Sequence, residues 1–515
     1  MMAKERELLK AKRIFQQMCE LIEIAANKGL RIDQVERNLF RQALQLCLAL
    51  LKAFVKGEGN GDQGKKVERN GKTLRRINTV RRRYVSIFGE FSFKRYVYAP
   101  REGQKVEWAP LDEQLGMPAS DFSYVLEDWQ QKLVVKDPYG EAIESLHDWL
   151  GIGLGVRTVE KMNDRMAQHA EHFRASQKPP NPDEEGNVLV VSADGKGVPM
   201  RRPLKERIRE IAKKVTRGRK REPKEETSHS KRLGKGEKRT KKQMAYVGAV
   251  YSIDAYPRTA QDIMDEVRRR KFRDERPKPQ HKHVHVQMTR ILEGEVVKGM
   301  PILFGNLATE CVERDPSEEK PLVCLMDGDP NLWDMQREWF PNAVRILDLY
   351  HVLERLWKAA YVFHRERSTE AEQFVDHYLQ MLLEGKVGYV IGKMKRKLRQ
   401  VTARKKRATL QQVLTYLQNN RQYMKYDEYL AAGYPIGSGV VEGACRHVVK
   451  DRMERTGMRW EIEGAHAMLE LRSIYLNQDW REFLEFRIQR EQDAIYGGNR
   501  SRGGVLICGL GEEGN

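Results

Sequence analysis

The chain has 515 residues, 93 Lys/Arg against 73 Asp/Glu for a formal charge of +20, and a hydrophobic share of 40%. At roughly 100 to 200 residues per domain that excludes a single ordinary core and implies two to four units, and the apolar content excludes a wholly disordered chain. Six cysteines, Cys19, Cys47, Cys311, Cys324, Cys445 and Cys508, lie far apart with no CxxC pair, so reduced, buried thiols are expected rather than a disulfide frame or a zinc knuckle.

The first segment, 1–60, carries apolar residues at helical spacing (Leu8, Leu9, Ile14, Phe15, Met18, Leu21, Ile22), which predicts helices packed on each other. Its longest apolar stretch, Ala43 to Val55, is broken by Gln45 and Lys52 and falls short of the roughly 18 residues a membrane helix needs. The charged start, MMAKERELLKAKR, lacks the apolar run of a secretory leader. A soluble cytoplasmic protein is therefore expected.

Segment 61–109 holds a linker, then a β-hairpin over 84–98, where YVSIFGEFSFKRYVY alternates about a glycine, flanked by the basic residues Arg75, Arg76 and Arg81 to Arg83. Over 110–175 the pattern is helical again. Glu141 to Leu150, GIGLGV, and Arg157 to Met166 have the layout of a DNA-binding helix-turn-helix and equally of a plain helical hairpin. SQKPPNPDEEGN, 176–187, reads as the main interdomain linker.

Beyond it, strand-like runs at Val188 to Ala193, Tyr246 to Ile253, Val284 to Met288, Leu322 to Met326 and Val344 to Leu347 alternate with helical text, which predicts an α/β domain with a mixed sheet over 188–349. Residues 350–432 form an all-helical insertion, 433–486 complete the domain, and 487–515 read as a disordered, Gly-rich tail. His281, His283 and His285 alternate as on a solvent-facing strand edge; the competing reading is a same-face metal cluster.

The positive charge is concentrated. Residues 201–242 hold 19 Lys/Arg against 6 Asp/Glu, a net +13. Such a block cannot bury enough surface to fold alone; it reads as a solvated, solubilising loop or, more sharply, as a polyanion-binding arm, since neutralised phosphates release counterions. Its candidates for DNA contact are Lys213, Lys214, Arg217, Arg219, Lys220 and Arg221, together with Lys196 just before it.

Two strands end in Asp-Gly: VVSADG at Asp194 and VCLMDG at Asp327. Acids at strand carboxyl ends face the functional crevice of open α/β sheets. A third acid, Glu442, opens a helix after the breaker run Tyr434 to Gly439, with Ser438 as candidate N-cap. Three such acids suit a pair of Mg²⁺ ions, which take hard oxygen ligands and, roughly 4 Å apart, clamp the attacking and leaving oxygens of an in-line phosphoryl displacement. Asp-Gly turns and a helix-dipole glutamate are the structural alternatives. Asp329 and Asp334 are rivals to Asp327 but do not sit at the strand end.

These residues resemble those of bacterial insertion-sequence transposases of the DDE type, the Kra-type elements related to Mutator-like transposases, whose catalytic domain is ribonuclease-H-like. The likeness runs from about Leu111 to Phe486 through VSADGKGVP, LVCLMDGDPNLW, RILDLYHVLERLW and YPIGSGVVEGACRHVVKDRMERTGMRW. It implies Asp194, Asp327 and Glu442 as the metal triad for two Mg²⁺, with Mn²⁺ able to substitute, and the helices before Glu442 as the family's insertion.

Asp348 and His351 resemble a short Asp-x-x-His motif of the Mutator group, as accessory residues at the site or as a core histidine and its partner. After Glu442, Arg446, Lys450, Arg452 and Arg459 with Trp460 read as contacts to a DNA backbone and an unstacked base. The expected activity is binding of element ends, strand cleavage and strand transfer by a homo-oligomer on DNA in the bacterial nucleoid. The alternatives are a structure-selective nuclease and a non-catalytic nucleic-acid-binding derivative.

Overall fold

The apolar spacing at the start of the chain becomes a helical hairpin, α1 (Met2–Lys28) and α2 (Ile32–Gly57). Gly29, at φ +60°, makes the reversal, Ala11, Ile14 and Ala49 fill the seam, and Lys56 meets Glu7 at 2.6 Å near the open end. Contrary to the reading of the sequence, α2 has the length and composition of a membrane-crossing helix, with a mean hydropathy of 1.2 over its best window, the one described helix that does. Scattered polar residues do not cancel its aliphatic content, yet Val55 packs with Phe91, Phe93 and Leu111.

The computed structural model describes residues 2–69, 71–201, 242–268, 276–292 and 295–497. They fall into two compact units, 1–169 with 481–515, and 170–480. The division differs from the expected one at both ends. The linker at 176–187 lies inside the second unit, and residues 487–496, expected in a disordered tail, continue helix α18 (Trp480–Tyr496), whose larger part belongs to the first unit. Helix persists because the Gly-rich run begins only at Gly497 and because Arg487 is buried against Glu127. The rest of the proposed tail lies outside the described residues.

In the first unit the hairpin is longer than expected. β2 (Lys72–Ser86) pairs with β3 (Gly89–Ala99) from Arg75 opposite Ala99 to Ser86 opposite Gly89, and β1 (Lys66–Arg69) adds a third strand. The basic flank is thus part of β2. Arg76 pairs with Asp62, Arg83 with Glu90, and Arg82 donates to the Pro118 and Ser120 carbonyls. After α3 (Pro110–Leu115), α4 (Tyr124–Val134), α5 (Tyr139–Leu150) and α6 (Val156–Ala167) pack on one another. Gly151 ends α5 in the left-handed region, and α6 buries Val159, Met162 and Met166 while exposing Arg157 and Lys161.

The second unit is mixed α/β. After α7 (Ala170–Arg174), its five-stranded sheet uses β4 (Val188–Pro199), β5 (Lys242–Ile253), β6 (Gln280–Met288), β9 (Leu322–Met326) and β10 (Val344–Leu347), in the spatial order β10-β9-β4-β5-β6. β4, β5 and β6 form an antiparallel meander, and β9 and β10 run parallel to β4. Helix α8 (Ala260–Val267) and the small hairpin of β7 (Arg290–Leu292) and β8 (Glu295–Val297) lie on either side of β6 in sequence. α9 (Gly299–Arg314) covers β5 and β6, and α10 (Pro330–Trp339) links β9 to β10.

The insertion is helical as expected: α11 (Leu349–Phe363), α12 (Thr369–Leu383), α13 (Val387–Gln400), α14 (Arg404–Asn419) and α15 (Tyr426–Ala431). Its core is continuous with that of the sheet. α16 (Gly439–Ala444) then packs on β4 and β5 and runs into a π-helical turn, Cys445–Lys450, and α17 (Ile462–Leu476) returns along β6.

Candidate active site

Three aspartates occupy equivalent places on three adjacent parallel strands. Ala193 of β4 pairs with Met326 of β9, which pairs with Leu347 of β10. The next residue on each strand is Asp194, Asp327 or Asp348, so the register alone sets the three side by side along one edge of the sheet. The Asp348 amide closes the row by donating to the Met326 carbonyl at 2.8 Å.

Asp194 corrects one expectation, for it is not at a strand end. β4 runs on to Pro199, pairing Asp194 with Val247 and Gly195 with Tyr246. The Asp-Gly pair is no turn here, because both glycines are part of the ladder. A Cβ at Gly195 would stand 2.8 Å from Met244, and one at Gly197 2.9 Å from Lys242. Asp327 does follow its strand. Gly328, at φ +93°, turns the chain where a Cβ would lie 2.9 Å from Tyr416 and 3.0 Å from Leu347. The Asp329 amide donates to the Asp327 carboxylate at 2.9 Å, and the Tyr416 hydroxyl to its carbonyl at 2.8 Å. The rivals have other duties: Asp329 caps α10 through the Asn331 amide, and Asp334 pairs with Arg337.

Asp348 is fully buried and caps α11, accepting from the His351 amide at 3.0 Å and from the Ser438 amide. Ser438 was expected to cap α16 with its side chain; it makes no such bond, and its backbone is instead held by Asp348. Glu442, in the first turn of α16, reaches the same place: its carboxylate lies 3.6 Å from His351 Nδ1, which lies 3.4 Å from Asp348. His351 Nδ1 is within ion-pair range of both acids and squarely hydrogen-bonded to neither. The ligand atoms of Asp348, His351 and Glu442 all lie within 4.8 Å of one another.

Asp194 and Asp327 act on this group of three through their charges. Burial, and then the nearby Asp194 charge, push the Asp327 carboxyl above its ordinary value. Burial and the Asp348 charge do the same to Glu442, with His351 in partial opposition and Asp194 adding to the rise. Asp348 goes the other way: burial would raise it, but the bonds from His351 and Ser438 hold it low. The Asp348 contact lifts His351 to about 9. Cys445, one turn beyond Glu442, has its thiol pushed up by burial and by Asp194.

No family model and no curated protein matches the chain. The site therefore rests on its own geometry.

The residues proposed to touch DNA divide sharply. Arg446, Lys450 and Arg459 are exposed, and Lys196 is half-buried in β4. Arg452 and Trp460 are not at the surface: Arg452 is fully buried, stacked 5.0 Å over the Trp460 ring, whose indole N–H donates to the Met453 carbonyl. The Trp460 backbone is stitched to Pro199 and Arg201 at the end of β4. Trp460 is internal through its isolated bridge to Met200, and Arg452 lies against its ring, which one-dimensional charge does not show. Lys213, Lys214, Arg217, Arg219, Lys220 and Arg221 lie outside the described residues.

Of the three β6 histidines expected on a solvent-facing edge, His281 is exposed as expected and the other two are not. His285 is buried and His283 half-buried, both directed at Glu310 of α9. β6 is an edge strand, but α9 covers its face. The two groups, Asp348/His351/Glu442 and His283/His285/Glu310, have the spacing and donor types of metal sites.

Proposed function

We propose that this chain is a DNA transposase of the DDE type, with a ribonuclease-H-like catalytic domain of the Kra kind. One observation carries the reading: Asp194, Asp327 and Glu442, far apart in sequence, come to one edge of one sheet with Asp348 and His351 among them. The mixed sheet supports it, an antiparallel meander followed by two strands parallel to its first member, which is compatible with such a domain. So does the position of the acids on the first and fourth strands and on a helix beyond an all-helical insertion.

Asp194, Asp327 and Glu442 would hold two Mg²⁺, or Mn²⁺ in their place, and the ions would supply activation of the attacking oxygen and neutralisation of phosphate charge. The donor set fits hard cations: three carboxylates with no arginine or lysine paired to any of them among the described residues. Asp348 keeps His351 protonated, placing a cationic ring beside Glu442 where it can donate to a phosphate oxygen or steady the glutamate. Arg446, Lys450 and Arg459, exposed after Glu442, suit a DNA backbone. The α5–α6 pair suits recognition of element ends.

In cleavage a water oxygen bonds to phosphorus and the 3′-oxygen leaves; in transfer that 3′-oxygen attacks a target phosphate and the target's own 3′-oxygen leaves. The test is a labelled element end incubated with the full chain in Ca²⁺ and then in Mg²⁺, with target plasmid present. Binding in Ca²⁺, nicking on adding Mg²⁺ and joined products are expected. Nicking without joining would indicate a nuclease, and binding without nicking a non-catalytic derivative.

A further inference from the structure

The sheet carries a second group of convergent ligand atoms, on its opposite face. Gly248 of β5 pairs with Ala193 and with His285, whereas the next position, Val247, pairs with Asp194. Alternation along a strand therefore turns His285, and with it His283, away from Asp194. A Cβ at Gly248 would meet Leu307 and Leu303 of α9, so this is the face that α9 covers.

There His283 Nδ1 lies 2.9 Å from Glu310 Oε2, and His285 Nε2 is directed at the same oxygen. All three ligand atoms lie within 4.8 Å of one another. Their supports are in place as well. His283 turns its other nitrogen, Nε2, toward Asp479 at 3.4 Å. The second Glu310 oxygen accepts from Arg314 at 3.2 Å, and Arg314 is itself fixed by Glu185, whose side chain is buried. A carboxylate behind a ligating imidazole, and a donor behind a ligating carboxylate, are what orient ligands around a metal.

We propose that His283, His285 and Glu310 bind one transition-metal ion of the Zn²⁺ class, separate from the hard cations proposed for the acid edge. Two imidazoles and one carboxylate suit Zn²⁺ or Co²⁺ and do not suit Mg²⁺. Tetrahedral ligation at roughly 2.0–2.1 Å separates donor atoms by about 3.4 Å, so the His283–Glu310 pair, now at 2.9 Å, would open by about 0.5 Å and the shorter His285–Glu310 pair by more. A cleft of about 460 Å³, lined by Lys178, Asn306, Glu313 and Asp479 among others, gives the ion an entry and leaves room for water ligands.

The test is titration of the full chain, in excess Mg²⁺, with Co²⁺ followed by visible absorption, together with metal analysis after dialysis against Zn²⁺. One saturable equivalent is expected, with the absorption of a low-coordinate nitrogen-ligated ion, and Zn²⁺ should raise Tm. His283→Gln and Glu310→Gln should each weaken binding at least about tenfold and abolish the Tm rise, and Asp479→Asn should weaken it about 10- to 100-fold. Asp327→Ala should retain the ion. Absence of a saturable equivalent in the wild type overturns the proposal, as does binding unchanged in both folded ligand variants. If neither variant folds, the wild-type Co²⁺ spectrum decides, and one lacking imidazole ligation overturns it.

Discussion

One acid cluster in the first unit and one in the second are built in opposite ways. In the first unit Glu127 is 1% exposed and accepts from Arg165 at 2.7 Å, from Ser120 at 2.9 Å and from the buried Arg487. Arg487 also holds Glu491 at 2.8 Å, with His169 3.5 Å away. Burial works against the charge on Glu491, yet His169 and Arg487 bring its carboxyl down to about 2. At the sheet edge of the second unit, burial and nearby acids push Asp327 and Glu442 up, with His351 opposing the rise. The contrast is one of partners: Glu127 and Glu491 have their charges matched by arginines inside the protein, whereas Asp194, Asp327 and Glu442 have no arginine or lysine paired with them among the described residues.

The comparison breaks or sharpens by substitution. The largest effect is expected at the unmatched acids: Asp194→Ala, Asp327→Ala or Glu442→Ala should lower the DNA-cleavage rate by about 10³-fold or more, since charge stabilisation of several kcal/mol is removed. Binding to element ends in Ca²⁺ and the melting temperature should hold, and wild-type cleavage by any one variant would end the assignment.

At the matched acids the result should be reversed. Arg487→Ala takes one buried partner from Glu127, which keeps Arg165 and Ser120, and one from Glu491, which keeps His169, and should cost about 3 kcal/mol of stability by denaturant unfolding; a loss under 1 kcal/mol would mean that the network contributes little. Glu491 adds a pH signature. The unfolded chain protonates this group near its ordinary 4.5 and the folded one near 2. Its stabilisation is therefore fully present above 4.5 and is lost as pH falls from there through about 2, on the order of 3 kcal/mol in all. Glu491→Gln should flatten that acid limb.

The smallest effects separate the arginines after Glu442. Arg446→Ala, at an exposed residue, should weaken DNA binding and reduce the salt slope by about one, without changing Tm. Arg452→Ala should do the opposite, lowering Tm through lost packing on Trp460. Equal salt slopes for the two variants would show that burial does not sort them.

Much of this was legible in one dimension. Helical periodicity gave the α1–α2 pair and the insertion, continuous β-rich runs gave the five strands of the large sheet, and Asp-Gly after such runs drew attention to Asp194 and Asp327. The boundaries misread were those where a partner overrides a local signal. β4 passes through two glycines because β5 pairs with it, the hairpin begins at Lys72 because β3 reaches Ala99, and α18 ends at Tyr496 rather than giving way to a tail. Asp348 was ranked as an accessory, although it is the fully buried acid at the centre of the cluster, because nothing in LDLYH says that an amide ninety residues away will bind it. Glu310 carried no signal at all.

The sequence by itself determined the class of structure and the supply of chemistry: alternating strands and helices, acids at the breaks, and a basic block beside the first of them. Periodicity and turn residues are local properties, set by backbone sterics and side-chain burial within a few residues. Only the tertiary structure decided which acids share an edge, which arginines turn inward, and on which face of the sheet the histidines meet Glu310. Those outcomes depend on register between strands and on what covers each face, and both are fixed by contacts between residues distant in the chain.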